Sequence, residues 1–151
     1  MLLPRSLKIG IRLALLCTAI VILNACNKDN DKKLYAQSVT VYAVEDAASL
    51  DLVGWPDLRA DMATALSNTW SYSTPTLSNV EVYPQVLTFS TPILLSDEEW
   101  DFRLVDSDSS TDDDLICSAR FNPLDSDISR DKLVKLTKNG VVMIEINLTE
   151  E

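Results

Sequence analysis

The sequence predicts an all-β fold, an eight-stranded antiparallel β-sandwich, and three observations carry that prediction. Short apolar–polar alternations of period two recur from Gln37 to Leu148. Turn residues punctuate them at short intervals, and no long stretch with helical periodicity or internal repeat competes. In chain order, Val39, Val41 and Ala43 alternate with Ser38, Thr40 and Tyr42, so one face of a first strand is apolar. Leu58, Ala60 and Met62 alternate with Arg59, Asp61 and Ala63, although the helix formers from Ala60 to Leu66 make a helix the rival there. Trp70 and Tyr72 mark a short third strand that the Thr74-Pro75 pair ends. Val86 to Phe89 forms a fourth before Pro92, and Trp100, Phe102 and Leu104 alternate with Asp101 and Arg103 in a half-buried fifth. Leu115 to Phe121 is the sixth, closed by Asn122-Pro123. Leu133 to Thr137 and Val142 to Leu148 flank Asn139-Gly140, a pair suited to a type I′ hairpin turn because both central residues need positive φ.

The 151 residues suit one domain plus a targeting segment. Arg5, Lys8 and Arg12 precede an apolar run from Leu13 to Leu23, and no acid occurs before residue 26. That is the pattern of a secretory signal, too short to span a bilayer comfortably. It ends in Leu23-Asn24-Ala25-Cys26, which resembles the lipobox of bacterial lipoproteins, with Asn24 where a smaller residue is commoner. The resemblance implies cleavage before Cys26 and acylation of its thiol. It divides the chain into a signal peptide (1–25), a lipidated cysteine with a flexible tether (26–36) and a sandwich domain (37–151). The competing assignment is an ordinary signal peptide or membrane anchor with an incidental Cys26. The polar run Asn27 to Lys33 looks like the acid-containing tethers that serve surface export in some Gram-negative groups, or is a plain spacer. The location implied is the bacterial cell envelope, on the outer membrane and exposed at the surface.

Charge and composition exclude several classes. The chain carries 13 basic and 23 acidic residues. Three of the bases fall in the signal segment, so the remainder has a formal charge of about −13, which disfavours nucleic acid as a partner. Anionic lipid is repelled as well unless cations intervene. Histidine is absent, which removes the commonest acid–base catalyst and transition-metal ligand together. With Cys26 acylated, Cys117 has no disulfide partner and reads as a small buried hydrophobe on its strand.

Two acidic loops stand out. Leu104 to Ile116 holds Asp106, Asp108, Asp112, Asp113 and Asp114 between strand-like flanks, and carboxylates so close together call for full solvation or a cation. Between the first two strands, Asp51 and Asp57 lie six residues apart with Gly54 between them. This pattern resembles the first calcium loop of C2 domains, in which the second aspartate opens the next strand. Asp106, Asp108 and Asp114 have the relative spacing of that family's third loop, with Thr111 where a hydroxyl ligand can stand. Tyr83-Pro84-Gln85-Val86 looks like the family's proline-containing fourth strand, and Asn122-Pro123-Leu124 like the turn after its sixth. The resemblance covers about residues 37 to 148 and favours the phospholipase-type strand order. Leu58 in place of the usual proline and Cys117 in place of glycine are departures that touch no ligand.

The resemblance implies a calcium site at Asp51, Asp57, Asp106, Asp108, Asp114 and Thr111. Asp112 and Asp113 read as solvated turn residues. An EF-hand beginning at Asp106 fails, because Thr111 stands where glycine is required and Cys117 where the bidentate glutamate belongs. Bound calcium implies docking to phospholipid head groups, with Leu52, Val53 and Trp55 as apolar contacts, or else Trp55 simply caps the sandwich. The alternative is a protein-interaction or adhesion module, calcium-stabilised or calcium-independent, whose partner is an envelope protein. Catalysis is not expected: no Ser-His or Cys-His pair and no glycine-rich phosphate loop occurs.

Overall fold

A computed structural model of the chain describes residues 33–44, 54–108, 112–138 and 142–151. The signal segment, Cys26, Asp51, Leu52, Val53, Thr111 and the Asn139-Gly140 turn lie outside the described residues. The described residues form eight strands: β1 (Leu34–Ala43), β2 (Leu58–Thr64), β3 (Tyr72–Ser73), β4 (Gln85–Leu95), β5 (Trp100–Asp106), β6 (Asp114–Phe121), β7 (Leu133–Lys138) and β8 (Val142–Glu150). Among the described residues a short helix, α1 (Ser126–Asp131), precedes β7.

The strands form two four-stranded sheets, ordered β4-β1-β8-β7 and β3-β2-β5-β6, and every pairing is antiparallel. Period-two alternation produces this arrangement directly. Val39 and Val41 of β1 and Ile144 and Ile146 of β8 face Leu58, Ala60 and Met62 of β2 and Trp100, Phe102 and Leu104 of β5 in one buried core. The last strand, β8, returns to pair with β1, which places the first and last strands side by side in one sheet.

Where the strands differ from expectation, the causes are local. The alternation is legible from Gln37, yet β1 begins at Leu34, so the last three residues assigned to the tether belong to the sheet. A bulge between Ala36 and Ser38 breaks the period and hides this extension. Ala60 to Thr64 is strand rather than helix, because pairing with β5 on one side and β3 on the other overrides helix propensity. β4 continues through Pro92, which an edge strand tolerates because one side of it has no ladder to donate to. Helix α1 was not expected. It spans six residues, buries none of them, and ends where Lys132 enters the left-handed region at φ 55°.

Candidate metal centre

The acidic end of the sandwich is assembled by the β2–β5–β6 ladder. Leu58 at the start of β2 stands opposite Asp106 at the end of β5, and Asp106 stands opposite Asp114 at the start of β6. This register leaves Asp57, Asp106 and Asp114 side by side, although they come from distant parts of the sequence. The backbone N–H of Asp57 donates to Asp106 Oδ1 at 2.7 Å, and the N–H of Ser107 donates to the carbonyl of Asp57 at 2.7 Å. Asp108 follows two residues beyond Asp106. Asp106 is fully buried, Asp57 and Asp108 are half-buried, and Asp114 is exposed.

A third loop reaches the same end, and the sequence reading did not find it. Between β3 and β4, Asn79 adopts a left-handed conformation at φ 54° and its N–H donates to Asp57 Oδ1 at 2.7 Å. Val80 N–H donates to Pro56 O at 2.9 Å. Gly54, at φ 122°, lies against this loop, and a Cβ there would come within 3.2 Å of Asn79 Oδ1. The available signal was weak: an asparagine tolerates positive φ better than other side-chain-bearing residues, but a single Ser-Asn pair marks many turns. Tyr83 packs against the core within reach of the charge of Asp106. Its own burial, and then the negative charge of Asp106, push its phenol above the ordinary value.

Among the described residues, no three histidine, cysteine, aspartate or glutamate side chains are grouped so as to hold a metal ion. Asp57, Asp106, Asp108 and Asp114 therefore share one end without closing a cage by themselves. Asp51 and Thr111, the other two expected ligands, fall outside the described residues. The donor chemistry is all oxygen, which suits a hard cation such as calcium and not a soft one. Backbone N–H groups hold both Asp57 and Asp106 through one carboxylate oxygen, an arrangement that fixes the direction of each side chain.

The outer face of the same sheet carries a second charged group. Asp61 has no solvent exposure; in register it lies between Ser73 on β3 and Arg103 on β5. Arg59 Nε donates to Asp61 Oδ1 at 3.0 Å, and Arg103 Nε to Asp61 Oδ2 at 2.8 Å. The Arg103 guanidinium in turn lies 4.6 Å from the centre of the Trp70 ring. Asp113, expected as a solvated turn residue, is instead half-buried and ion-paired to Arg59. Asp112 is exposed, and Cys117 is buried, 4% exposed, in the core. Trp55 packs against the core, as a cap on the sandwich end does. The exposed apolar side chains of the β3–β4 loop are Leu77, at 36%, and Val82, at 67%.

No protein-family model matches the chain, and no curated protein matches it in sequence. Solved structures do match it in shape. The BON1-C2B structure superposes with a TM-score of 0.57 at 14% identity, over 83% of this chain and 99% of that one. Human GIVD cytosolic phospholipase A2 gives a TM-score of 0.52 at 17% identity, over 80% of this chain and 16% of the phospholipase. Its complex with methyl gamma-linolenyl fluorophosphonate gives 0.50 at 17% identity, over 78% and 17% of the two chains. At these identities the likeness concerns the fold alone. The domain is a C2-like β-sandwich.

Proposed function

We propose that the chain is a calcium-binding C2-like module of a bacterial lipoprotein, anchored in the cell envelope through acylated Cys26. It docks to phospholipid head groups when calcium is bound, and it acts as a binding module rather than a catalyst. The observation that carries this reading is the direct bond from Asp57 N–H to Asp106 Oδ1, which joins the two acidic loops at one end of the sandwich. Asp51, Asp57, Asp106, Asp108, Asp114 and the Thr111 hydroxyl form the ligand set, and the Asn79 N–H holds Asp57 within it. A cation there offsets carboxylates that otherwise repel one another, and six to eight oxygens from several loops match calcium's requirement. It also gives an acidic protein, formal charge about −13 once residues 1–25 are removed, a bridge to anionic lipid. In this reading Leu52, Val53 and Trp55 supply the apolar contact with the bilayer, and Val82 and Leu77, exposed on the β3–β4 loop, add to it.

Calorimetric titration with calcium tests the proposal. Saturable binding is expected in the wild-type protein and none in the Asp106→Asn plus Asp108→Asn variant. Sedimentation with phosphatidylserine-containing vesicles is expected only when calcium is present. The observation favouring the protein-interaction reading is that the described carboxylates do not close a metal cage. Absence of both calcium and vesicle binding establishes that alternative as the better one.

A further inference from the structure

Arg59 is bonded through both arms of its guanidinium and through Nε. Nε and Nη2 hold the two oxygens of Asp61, at 3.0 and 3.1 Å. Nη1 donates to Ser107 Oγ at 2.7 Å and lies 3.5 Å from Asp113 Oδ1, while Nη2 donates to Asp113 Oδ2 at 2.5 Å. Ser107 is the first residue after β5 and Asp113 the last before β6. One side chain therefore grips both stems of the third acidic loop. That side chain stands two residues after Asp57, on the strand that the first acidic loop enters. Its grip is anchored from behind, because the fully buried Asp61 is also held by Arg103.

We infer that Arg59 is a positioning residue that fixes the third acidic loop against the first and thereby sets the affinity of the cation site. The consequence for calcium rests on the function proposed above; the clamp itself rests on the bonds just given. Planar, forked guanidinium geometry is what the task needs, since a lysine ammonium offers a point charge that cannot span Asp61, Ser107 and Asp113 together. Asp113 is thereby engaged as an arm of the clamp and is not a cation ligand.

Two effects of Arg59 on a nearby cation have opposite signs. As a positive charge it repels calcium, so its removal strengthens binding if the field dominates. As a clamp it holds the loops in place, so its removal weakens binding if position dominates. Arg59→Lys separates these by keeping the charge and losing the fork. Calcium titrations of the full chain in detergent are expected to show about tenfold weaker binding for Arg59→Lys, the scale of one lost charge-assisted hydrogen bond. Ser107→Ala leaves the Asp61 cluster intact and is expected to weaken binding about threefold to fivefold through the loss of one arm.

Amide hydrogen exchange supplies a readout independent of calcium. The Ser107 N–H, bonded to Asp57 O at 2.7 Å, is expected to exchange faster in both variants while amides in the middle of β5 stay protected. Wild-type affinity in Arg59→Lys, or tighter binding in Arg59→Ala, overturns the inference. If the wild-type protein binds no calcium, the proposed function falls and Ser107 exchange alone decides the clamp. Faster exchange in both variants then upholds it, and unchanged protection overturns it.

Discussion

Asp61 is a carboxylate with no exposed surface on the nominally solvent-facing side of a sheet. Burial raises its pKa, but the bonds from Arg59, Ser73 and Arg103 outweigh burial and hold it below the ordinary value of 3.8. Removing its charge leaves two guanidinium groups facing each other across β2 and β5. Asp61→Asn is therefore expected to cost about 3 kcal/mol at neutral pH, measured by chemical denaturation. The pH dependence has a definite sign. Because the folded value lies below the unfolded one, the carboxylate's contribution is complete above the ordinary value. It disappears as pH falls through the depressed folded value. The stability difference between wild type and Asp61→Asn is thus expected to shrink on acidification below 3.8, and a constant difference contradicts the assignment. Little of this was legible beforehand. Arg59, Asp61, Asp101 and Arg103 read as an ordinary polar face, since period two gives the side of a strand but not its register. Only the pairing of Asp61 with Arg103 turns two alternating patterns into a cross-strand ion pair.

At the scale of elements, alternation was enough for the central strands and failed where the backbone is irregular. β5 was legible because Trp100, Phe102 and Leu104 alternate with Asp101 and Arg103, β2 by a similar alternation despite its helix formers, and β6 as a largely apolar run closed by Asn122-Pro123. The start of β1 was obscured by its bulge, the far half of β4 by Pro92, and α1 by its brevity and lack of a buried face. The site divides in the same way. Asp57, Asp106 and Asp114 were legible because each adjoins a readable strand end. Asn79 was not, because its loop follows a two-residue strand with little pattern of its own. Its contact with Gly54 nonetheless makes the junction between two loops testable. Gly54→Ala places a Cβ 3.2 Å from Asn79 Oδ1 at φ 122°, where L side chains are strained. A loss of about 1–2 kcal/mol of stability is expected in thermal unfolding. The cation affinity is expected to fall with it, because Asn79 holds Asp57.

The whole molecule turns a sheet register into a site. Among the described residues it brings Asp57 before β2, the β3–β4 loop and the end of β5 together, where the N–H of Asn79 holds Asp57 and the N–H of Asp57 holds Asp106. Fold recognition from the chain was feasible because strand spacing and loop spacing agreed from about residue 37 to residue 148. The ligand geometry was not, since it depends on which carboxylate oxygens the backbone amides already hold. Acylation at Cys26 and calcium at the loop end play separate parts in the proposed function: the first sets where the protein resides, the second how it is oriented on the bilayer.

The most direct test of the central claim, that distant acidic loops form one cation site, is a calcium titration of the isotope-labelled protein followed by amide resonances. Saturable shifts at Asp57, Asn79, Ser107, Asp108 and Asp114, with a common midpoint and with Ser67 and Asn122 at the far end unmoved, are the predicted result. Shifts confined to one loop, or no saturable shift at any of these residues, contradict it.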